Sequence, residues 1–278
     1  MPNVQDHAYK TQNLKNILTN LGSVVIAYSG GVDSTFLARE ALEALGDKAL
    51  AVTAVSPSLA ASELDEAKEL AVQMGVRHVL IDSDEVSDPR YLANGADRCY
   101  FCKNEVYSLL VSYAHEQGYA AVIDGTNVDD LRDPRPGRKA AREQGVLSPL
   151  VDAGFTKAEI RDASRVLGLP TADKPSMACL SSRIPFGTPI SIASLKQVED
   201  AESLLRGLGL GQSRVRHHRD TARIEVEPDD FITVIERRDE IVAGLKSLGY
   251  VFVSLDLEGY RTGSMNSALK GEKVRSGR

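Results

Sequence analysis

The stretch Val24-Val25-Ile26-Ala27-Tyr28-Ser29-Gly30-Gly31-Val32-Asp33-Ser34 decides how this chain folds. Its apolar first half predicts a buried β-strand, and Thr35-Phe36-Leu37-Ala38-Arg39-Glu40-Ala41-Leu42 predicts a helix. A strand, a glycine-rich turn and a helix start together make an anion site. The first amides of a helix lack backbone partners, and its dipole is positive there. Gly30 and Gly31 reach backbone angles closed to other residues and leave no side chain in the way of a phosphate. Ser29 and Ser34 add hydroxyl donors. Asp33 is out of place beside an anion, unless it holds a metal ion that the phosphates also bind. A plain glycine turn explains two glycines alone; the full hexapeptide between strand and helix favours the anion site. The turn is neither a Walker loop, which requires G-x-x-x-x-G-K-[ST], nor the G-x-G-x-x-G dinucleotide fingerprint.

Working outward, residues 8–21 predict an amphipathic helix with Leu14, Ile17, Leu18 and Leu21 on one face. Ala49–Val55 and Arg77–Asp82 predict further strands, with a helix from Ser62 to Gly75 between them. A polar stretch, 83–98, leads to a helix after Cys99 that stops at Gly118, and Ala120–Asp124 predicts a fourth strand. Alternating strands and helices imply right-handed crossovers and a parallel sheet, with ligands at the carboxyl ends of the strands. That edge carries Ser29–Ser34, the segment after Val55, and Asp124-Gly125-Thr126-Asn127, across which adenine and ribose are expected to lie. For Asp124 a polar turn is the alternative.

Residues 128–150 read as a long loop dense in Arg and Lys, suited to a triphosphate or a phosphorylated substrate, or simply a solvated charge run. Thr156-x-x-Glu159 is a capping box for a helix ending near Gly168. The segment 169–189 holds four prolines, which limits regular structure and sets a boundary near 185. Beyond it the pattern changes to a helix over 191–207, strands at 214–217 and 223–227, one helix over 228–245 and a strand over 250–257. This is an α+β module of local strand pairs. The tail from Gly259 reads as mobile. The expected domains are therefore 1–180 and 185–278.

The net charge of −6 argues against broad nucleic-acid binding. The N-terminus has no apolar signal core and no apolar run is long enough to span a bilayer, so the default location is cytoplasmic. Three cysteines in a reducing compartment do not make a disulfide framework. Cys99-x-x-Cys102 sits at a helix start, where thiolate is favoured. It reads as a redox dithiol, half a zinc site, part of an iron–sulfur cluster, or two buried cysteines. Zinc wants four ligands, and beyond this pair only Cys179 remains with histidines not spaced as partners. Three thiolates on a cluster would leave one iron open to an exogenous sulfide. Cys179, with Ser181, Ser182 and Arg183 close behind, suits a nucleophile or sulfur source, with core packing as the alternative that its polar, proline-rich surroundings disfavour.

The hexapeptide resembles the pyrophosphate loop (PP-loop) of the ATP pyrophosphatase superfamily, which cleaves ATP between the α and β phosphates and adenylates a carbonyl or carboxyl oxygen. The likeness narrows further. SGGVDS, the Asp124-Gly125-Thr126 turn, Arg135–Leu150 (RPGRKAAREQGVLSPL), Lys174–Gly187 (KPSMACLSSRIPFG), Arg214-Val215-Arg216 and the LDLEGYRTGSMN segment from Leu255 together resemble the LarE family. These are ATP-dependent sulfur transferases of nickel-pincer cofactor biosynthesis, which serves lactate racemase.

The resemblance implies an α/β fold: a parallel-sheet domain like the adenine-nucleotide α-hydrolases, with a smaller C-terminal α+β domain for substrate binding and oligomerisation. It implies ATP and Mg²⁺ at Ser29, Gly30, Gly31, Asp33, Ser34, Asp124, Gly125 and Thr126. The substrate would be pyridinium-3,5-biscarboxylic acid mononucleotide, its phosphate on Arg214 and Arg216. Ser182 matches a residue near the sulfur, and Glu202 and Asp230 match acidic positions linked to a metal; for Glu202 an exposed helix charge is the alternative. Some members give up the sulfur of a cysteine in the position of Cys179. Others, with an added C-x-x-C, hold a [4Fe-4S] cluster on three cysteines that carries sulfide. Cys99, Cys102 and Cys179 fit the second type. The family also implies a homo-oligomer, a hexamer. Other readings are a related thiolase or amide-forming synthetase acting on another substrate such as tRNA, and, outside enzymes, a nucleotide-binding redox sensor.

Overall fold

The computed structural model describes residues 4–132, 136–175 and 178–261. The chain forms two compact units, one of residues 1–85 and 99–177, the other of residues 86–98 and 178–278.

The first unit begins with α1 (Val4–Leu21), β1 (Val24–Ala27) and α2 (Val32–Leu45), followed by β2 (Ala49–Val55), α3 (Ala61–Met74) and β3 (Arg77–Asp82). After the excursion into the second unit come α5 (Arg98–Glu116), β4 (Ala121–Ile123), α6 (Pro136–Glu143), α7 (Pro149–Asp152) and α8 (Lys157–Val166). The four strands form a wholly parallel sheet in the order β3-β2-β1-β4. Alternation along β1 explains how both faces are covered. Val24 and Ile26 join Leu14, Leu18, Phe36, Ala67 and Ile160 on one side. Val25 joins Tyr107, Leu110, Ala140 and Ala141 on the other. Phe36 and Phe155 meet edge to face at 5.3 Å between ring centres, within the first of these cores.

The strand order fixes where a ligand can lie. The chain runs outward from β1 to β3 and then returns to place β4 on the opposite side of β1. The switch point is therefore between β1 and β4, and the turns following those two strands line one crevice. Ser29–Ser34 follows β1 and Asp124–Asn127 follows β4.

The span 128–150 is not the continuous loop expected. It carries a 3₁₀ turn at Asp129–Arg132 and the helices α6 and α7, and Leu147 bridges in parallel to Ile123 at the end of β4. Pro136 and Pro149 each stand at a helix start, where the missing amide is no loss. Residues 133–135 lie outside the described residues.

In the second unit, α4 (Pro89–Leu92) precedes α9 (Ile192–Gly207), β5 (Ser213–His218), β6 (Thr221–Val226), α10 (Phe231–Glu236), α11 (Arg238–Ser247) and β7 (Phe252–Leu255). The sheet order is β5-β6-β7. β5 and β6 form the expected local antiparallel pair, but β7 returns parallel to β6 through α10 and α11, so this module is not built of local pairs alone. The single helix expected over 228–245 divides at Arg237, whose guanidinium donates to Leu208 O. Its core gathers Ala201, Leu205, Val215, Ile224, Val226, Ile241 and Tyr250. Residues 262–278, most of the tail read as mobile, lie outside the described residues. No helix among the described residues is long and apolar enough to cross a membrane.

Candidate functional site

The Ser29–Ser34 turn folds on its own side chains. Ser34 Oγ lies 3.1 Å from Ser29 Oγ, accepts from Ser29 N and donates to Gly31 O. Gly31 is the N-cap of α2 and no side chain caps that helix, so its first amides are left to a ligand. The two hydroxyls expected to reach a phosphate thus also hold the turn in shape. Gly30 has φ +68°, and a Cβ there would meet Ala67 Cβ at 2.9 Å. Gly125 lets the turn after β4 lie directly on the start of α2, because a Cβ there would stand 2.9 Å from Ser34 N.

Asp33 points into this crevice. Its Oδ2 lies 2.5 Å from Lys157 Nζ, and its Oδ1 accepts from Asn127 Nδ2 at 3.5 Å. Desolvation raises its carboxyl pKa above the usual carboxylate range, and the Lys157 ammonium pulls it back. On the opposite side of the turn, Lys174 Nζ reaches Gly30 O at 3.3 Å and Glu66 Oε2 at 2.6 Å. Neither lysine stands out in the sequence reading. The signal available was Lys157 itself, a cation in the first turn after the Thr156 cap, where the helix dipole disfavours it.

Asp124 is buried and its carboxylate is shared among neighbours: Tyr107 OH at 3.0 Å, Thr126 Oγ1 at 2.9 Å, Ser148 Oγ at 2.8 Å and Thr126 N at 3.1 Å. It ties α5, the β4 turn and the start of α7 together. Next to β2 and β3, the carboxylate of buried Glu85 accepts from Ser56 Oγ, Ser58 Oγ and Ser83 Oγ. It fixes the segment after Val55 that was expected to border the nucleotide.

In the second unit, exposed Cys179 caps a 3₁₀ turn, Leu180–Arg183. Arg183 organises this segment, donating to Ala178 O, to Cys179 O at 3.0 Å and to Ser182 Oγ at 3.0 Å. Tyr91 OH meets Ser181 Oγ, Asn94 Nδ2 donates to Pro185 O and Thr188 O, and Arg98 donates to Ser181 O. Tyr91, Asn94 and Arg98, within the 83–98 stretch read as polar, thus clasp the cysteine segment.

On β5 and β6, Arg214, Arg216, Arg223 and Glu225 share the face opposite the core. Arg214 lies over the Tyr260 ring at 5.3 Å. Arg216 donates to Ser182 O at 3.0 Å and to Glu225 Oε2 at 2.6 Å. This brings one of the two expected phosphate-binding arginines next to Ser182.

Glu202 is not an exposed helix charge. It is 2% exposed, and its oxygens accept from Arg183 and from Val215 N. Asp230 is half-buried just before α10. Cys99 and Cys102 are the second and fifth residues of α5, in the first unit, whereas Cys179 belongs to the second. Among the described residues, no group of three or more His, Cys, Asp and Glu side chains is gathered to hold a metal ion.

A parallel sheet with a Ser-Gly-Gly-Val-Asp-Ser turn at its switch point defines the PP-loop class of adenine-nucleotide α-hydrolase-like folds. In agreement, residues 8–91 match the family model described as NAD synthase. The chain is 39% identical over 94% of its length to the pyridinium-3,5-bisthiocarboxylic acid mononucleotide synthase of Lactiplantibacillus plantarum, covering 95% of that protein. It is 45% identical over 94% of its length to an uncharacterized protein of Synechocystis, covering 98% of it. Similarity to a tRNA-specific 2-thiouridylase of Beijerinckia indica is 28% and spans 55% of the chain and 44% of that enzyme. The chain belongs to the pyridinium-3,5-bisthiocarboxylic acid mononucleotide synthase (LarE) family.

Proposed function

We propose that the protein is an ATP-dependent sulfur transferase that converts the carboxylates of pyridinium-3,5-biscarboxylic acid mononucleotide into thiocarboxylates. The observation that carries this reading is the end-to-end similarity to the L. plantarum synthase, which spans both units. The thiouridylase similarity covers only about half of the chain, which favours the pyridinium substrate over tRNA.

A carboxylate oxygen is a poor leaving group, and adenylation replaces it with AMP. The substrate carboxylate attacks the α-phosphorus of ATP, a new O–P bond forms and pyrophosphate departs. The amides at the start of α2 receive the developing charge on the pyrophosphate. Mg²⁺ suits hard oxygen donors of the kind Asp33 presents, and when bound it would neutralise phosphate charge. Arg214 and Arg216 hold the substrate phosphate through their paired N–H groups. A sulfide nucleophile then forms a C–S bond, the C–O bond to AMP breaks, and AMP leaves with the electron pair. A second round treats the other carboxylate.

The donor chemistry of Cys99, Cys102 and Cys179 suits a [4Fe-4S] cluster, whose iron is held by cysteine sulfur. Such a group would supply sulfide at an iron that no protein thiol occupies. In the alternative, Cys179 Sγ attacks the acyl adenylate, the C–O bond to AMP breaks and AMP leaves with its electron pair, giving a thioester. Loss of the Cys179 α-proton and cleavage of Cβ–Sγ then release the thiocarboxylate and leave dehydroalanine. The test of the first step is pyrophosphate release from ATP. It is expected to depend on the pyridinium dicarboxylate, and release stimulated by tRNA instead would overturn the assignment.

A further inference from the structure

Beyond β7 the chain stays on the sheet. The amide of Asp256 donates to Ile224 O and that of Tyr260 to Val226 O, each at 2.8 Å, so residues 256–260 remain tied to β6. Gly259 permits this approach: its φ is +70°, and a Cβ there would stand 2.9 Å from Val226 O. Val226 closes β6, and its neighbour Glu225 pairs with Arg214 across the strands. The turn thus delivers the Tyr260 ring to Arg214, whose guanidinium lies over it at 5.3 Å.

The two arginines expected to hold the substrate phosphate are fixed by different means. Arg216 is buried and donates to Ser182 O and to the Glu225 carboxylate. Arg214 is half-buried, donates to Ser213 O at 2.8 Å and rests on an aromatic face. A carboxylate fixes an arginine by consuming N–H donors and offsetting its charge. A ring attracts the flat face of the guanidinium, consumes no N–H and leaves the charge for an anion. Bidentate phosphate recognition needs those in-plane N–H groups, and a side chain already ordered loses less entropy on binding. We propose that Tyr260 is a positioning residue that holds Arg214 ready for the phosphate of the pyridinium mononucleotide. It sets affinity for that substrate and takes no part in adenylation itself. This inference rests on the reading above in which Arg214 binds the substrate phosphate.

The test is substrate-dependent pyrophosphate release by the full-length protein, for the natural chain, Tyr260→Leu, Tyr260→Phe, Arg214→Gln and the Tyr260→Leu/Arg214→Gln double variant. Loss of the cation–π contact predicts a KM for the pyridinium mononucleotide about five- to thirtyfold higher in Tyr260→Leu, with kcat and the KM for ATP unchanged within about twofold. Tyr260→Phe keeps the ring and is expected to stay within about twofold of the natural KM. In the Arg214→Gln background, Tyr260→Leu is expected to add nothing. A natural KM in Tyr260→Leu would overturn the proposal. So would an equal rise in the KM for ATP, which marks a structural effect, a Phe variant as impaired as Leu, or additive losses in the double variant. A natural KM in Arg214→Gln would instead bring down the phosphate reading of Arg214, and the role of Tyr260 with it.

Discussion

Glu202 grips Arg183 with both of its oxygens, at 2.9 and 3.0 Å, and each side chain is 3% exposed. Arg183 in turn holds the carbonyls of Ala178 and Cys179. The position of the cysteine backbone is thus set by a carboxylate on α9, and through Val215 N the same carboxylate reaches β5.

Removing one partner of a buried ion pair leaves the other uncompensated. Glu202→Ala is therefore expected to destabilise the second unit by about 3–5 kcal/mol in denaturant unfolding. It is also expected to raise the rate at which a disulfide reagent labels Cys179, measured in a chain where Cys99 and Cys102 are alanine. Unchanged stability together with unchanged labelling would contradict the anchoring role.

Gly125→Ala forces a methyl group against Ser34 N, at 2.9 Å before any shift. Overpacking of this kind costs about 1–3 kcal/mol. Because the clash falls on the first amides of α2, ATP affinity is expected to drop further than thermal stability does. Calorimetric titration beside a melting curve separates the two, and a variant that binds ATP normally would refute the close packing of the two turns.

Cys179→Ala is expected to leave substrate-dependent pyrophosphate release intact and to abolish sulfur transfer. If the three thiols carry a cluster, protein purified without oxygen contains iron and acid-labile sulfide, and Cys99→Ala loses both. Iron-free protein with dehydroalanine at position 179 after one turnover would assign the sulfur to Cys179 itself.

Burial lowers the pKa values of His78 and His217 below the ordinary histidine value, with Lys68 adding to the effect at His78 and His218 at His217. Each is held neutral in the fold, at Thr53 Oγ1 and Tyr250 OH respectively. The unfolded chain takes up these protons first, near pH 6.5, so their contribution is complete above that value and is lost as the pH falls toward the lower folded-state values. The carboxyls of Asp33 and Glu40, raised by desolvation, act in the opposite direction. The melting temperature of His78→Gln is therefore expected to fall less than that of the natural chain between about pH 7 and 5. An identical pH dependence would contradict the account.

The parallel core was legible because Val24–Tyr28 and Ala49–Val55 are apolar runs whose burial needs only local chemistry, and the turn between strand and helix declared its own geometry. The helix α6 was not legible. It is short, Arg138, Lys139 and Arg142 crowd its sequence, and only Ala140 and Ala141 are buried, too weak a stripe to read. The parallel return of β7 depends on packing by α10 and α11 that no local pattern encodes. The site divides in the same way. Asp33 was singled out from its neighbours in sequence, whereas its partner Lys157 lies 124 positions away and only the fold unites them. Glu202 was noticed for its charge, but its task depends on Arg183 and a strand amide that α9 alone does not reveal.

The central claim is that this chain replaces carboxylate oxygen with sulfur on a pyridinium mononucleotide. Mass spectrometry of an anaerobic reaction containing the protein, MgATP, sulfide and pyridinium-3,5-biscarboxylic acid mononucleotide tests it directly. The account predicts mono- and bisthiocarboxylate products formed together with AMP and pyrophosphate. A pyridinium nucleotide recovered unchanged while ATP is consumed, or sulfur found in tRNA supplied in its place, would contradict it.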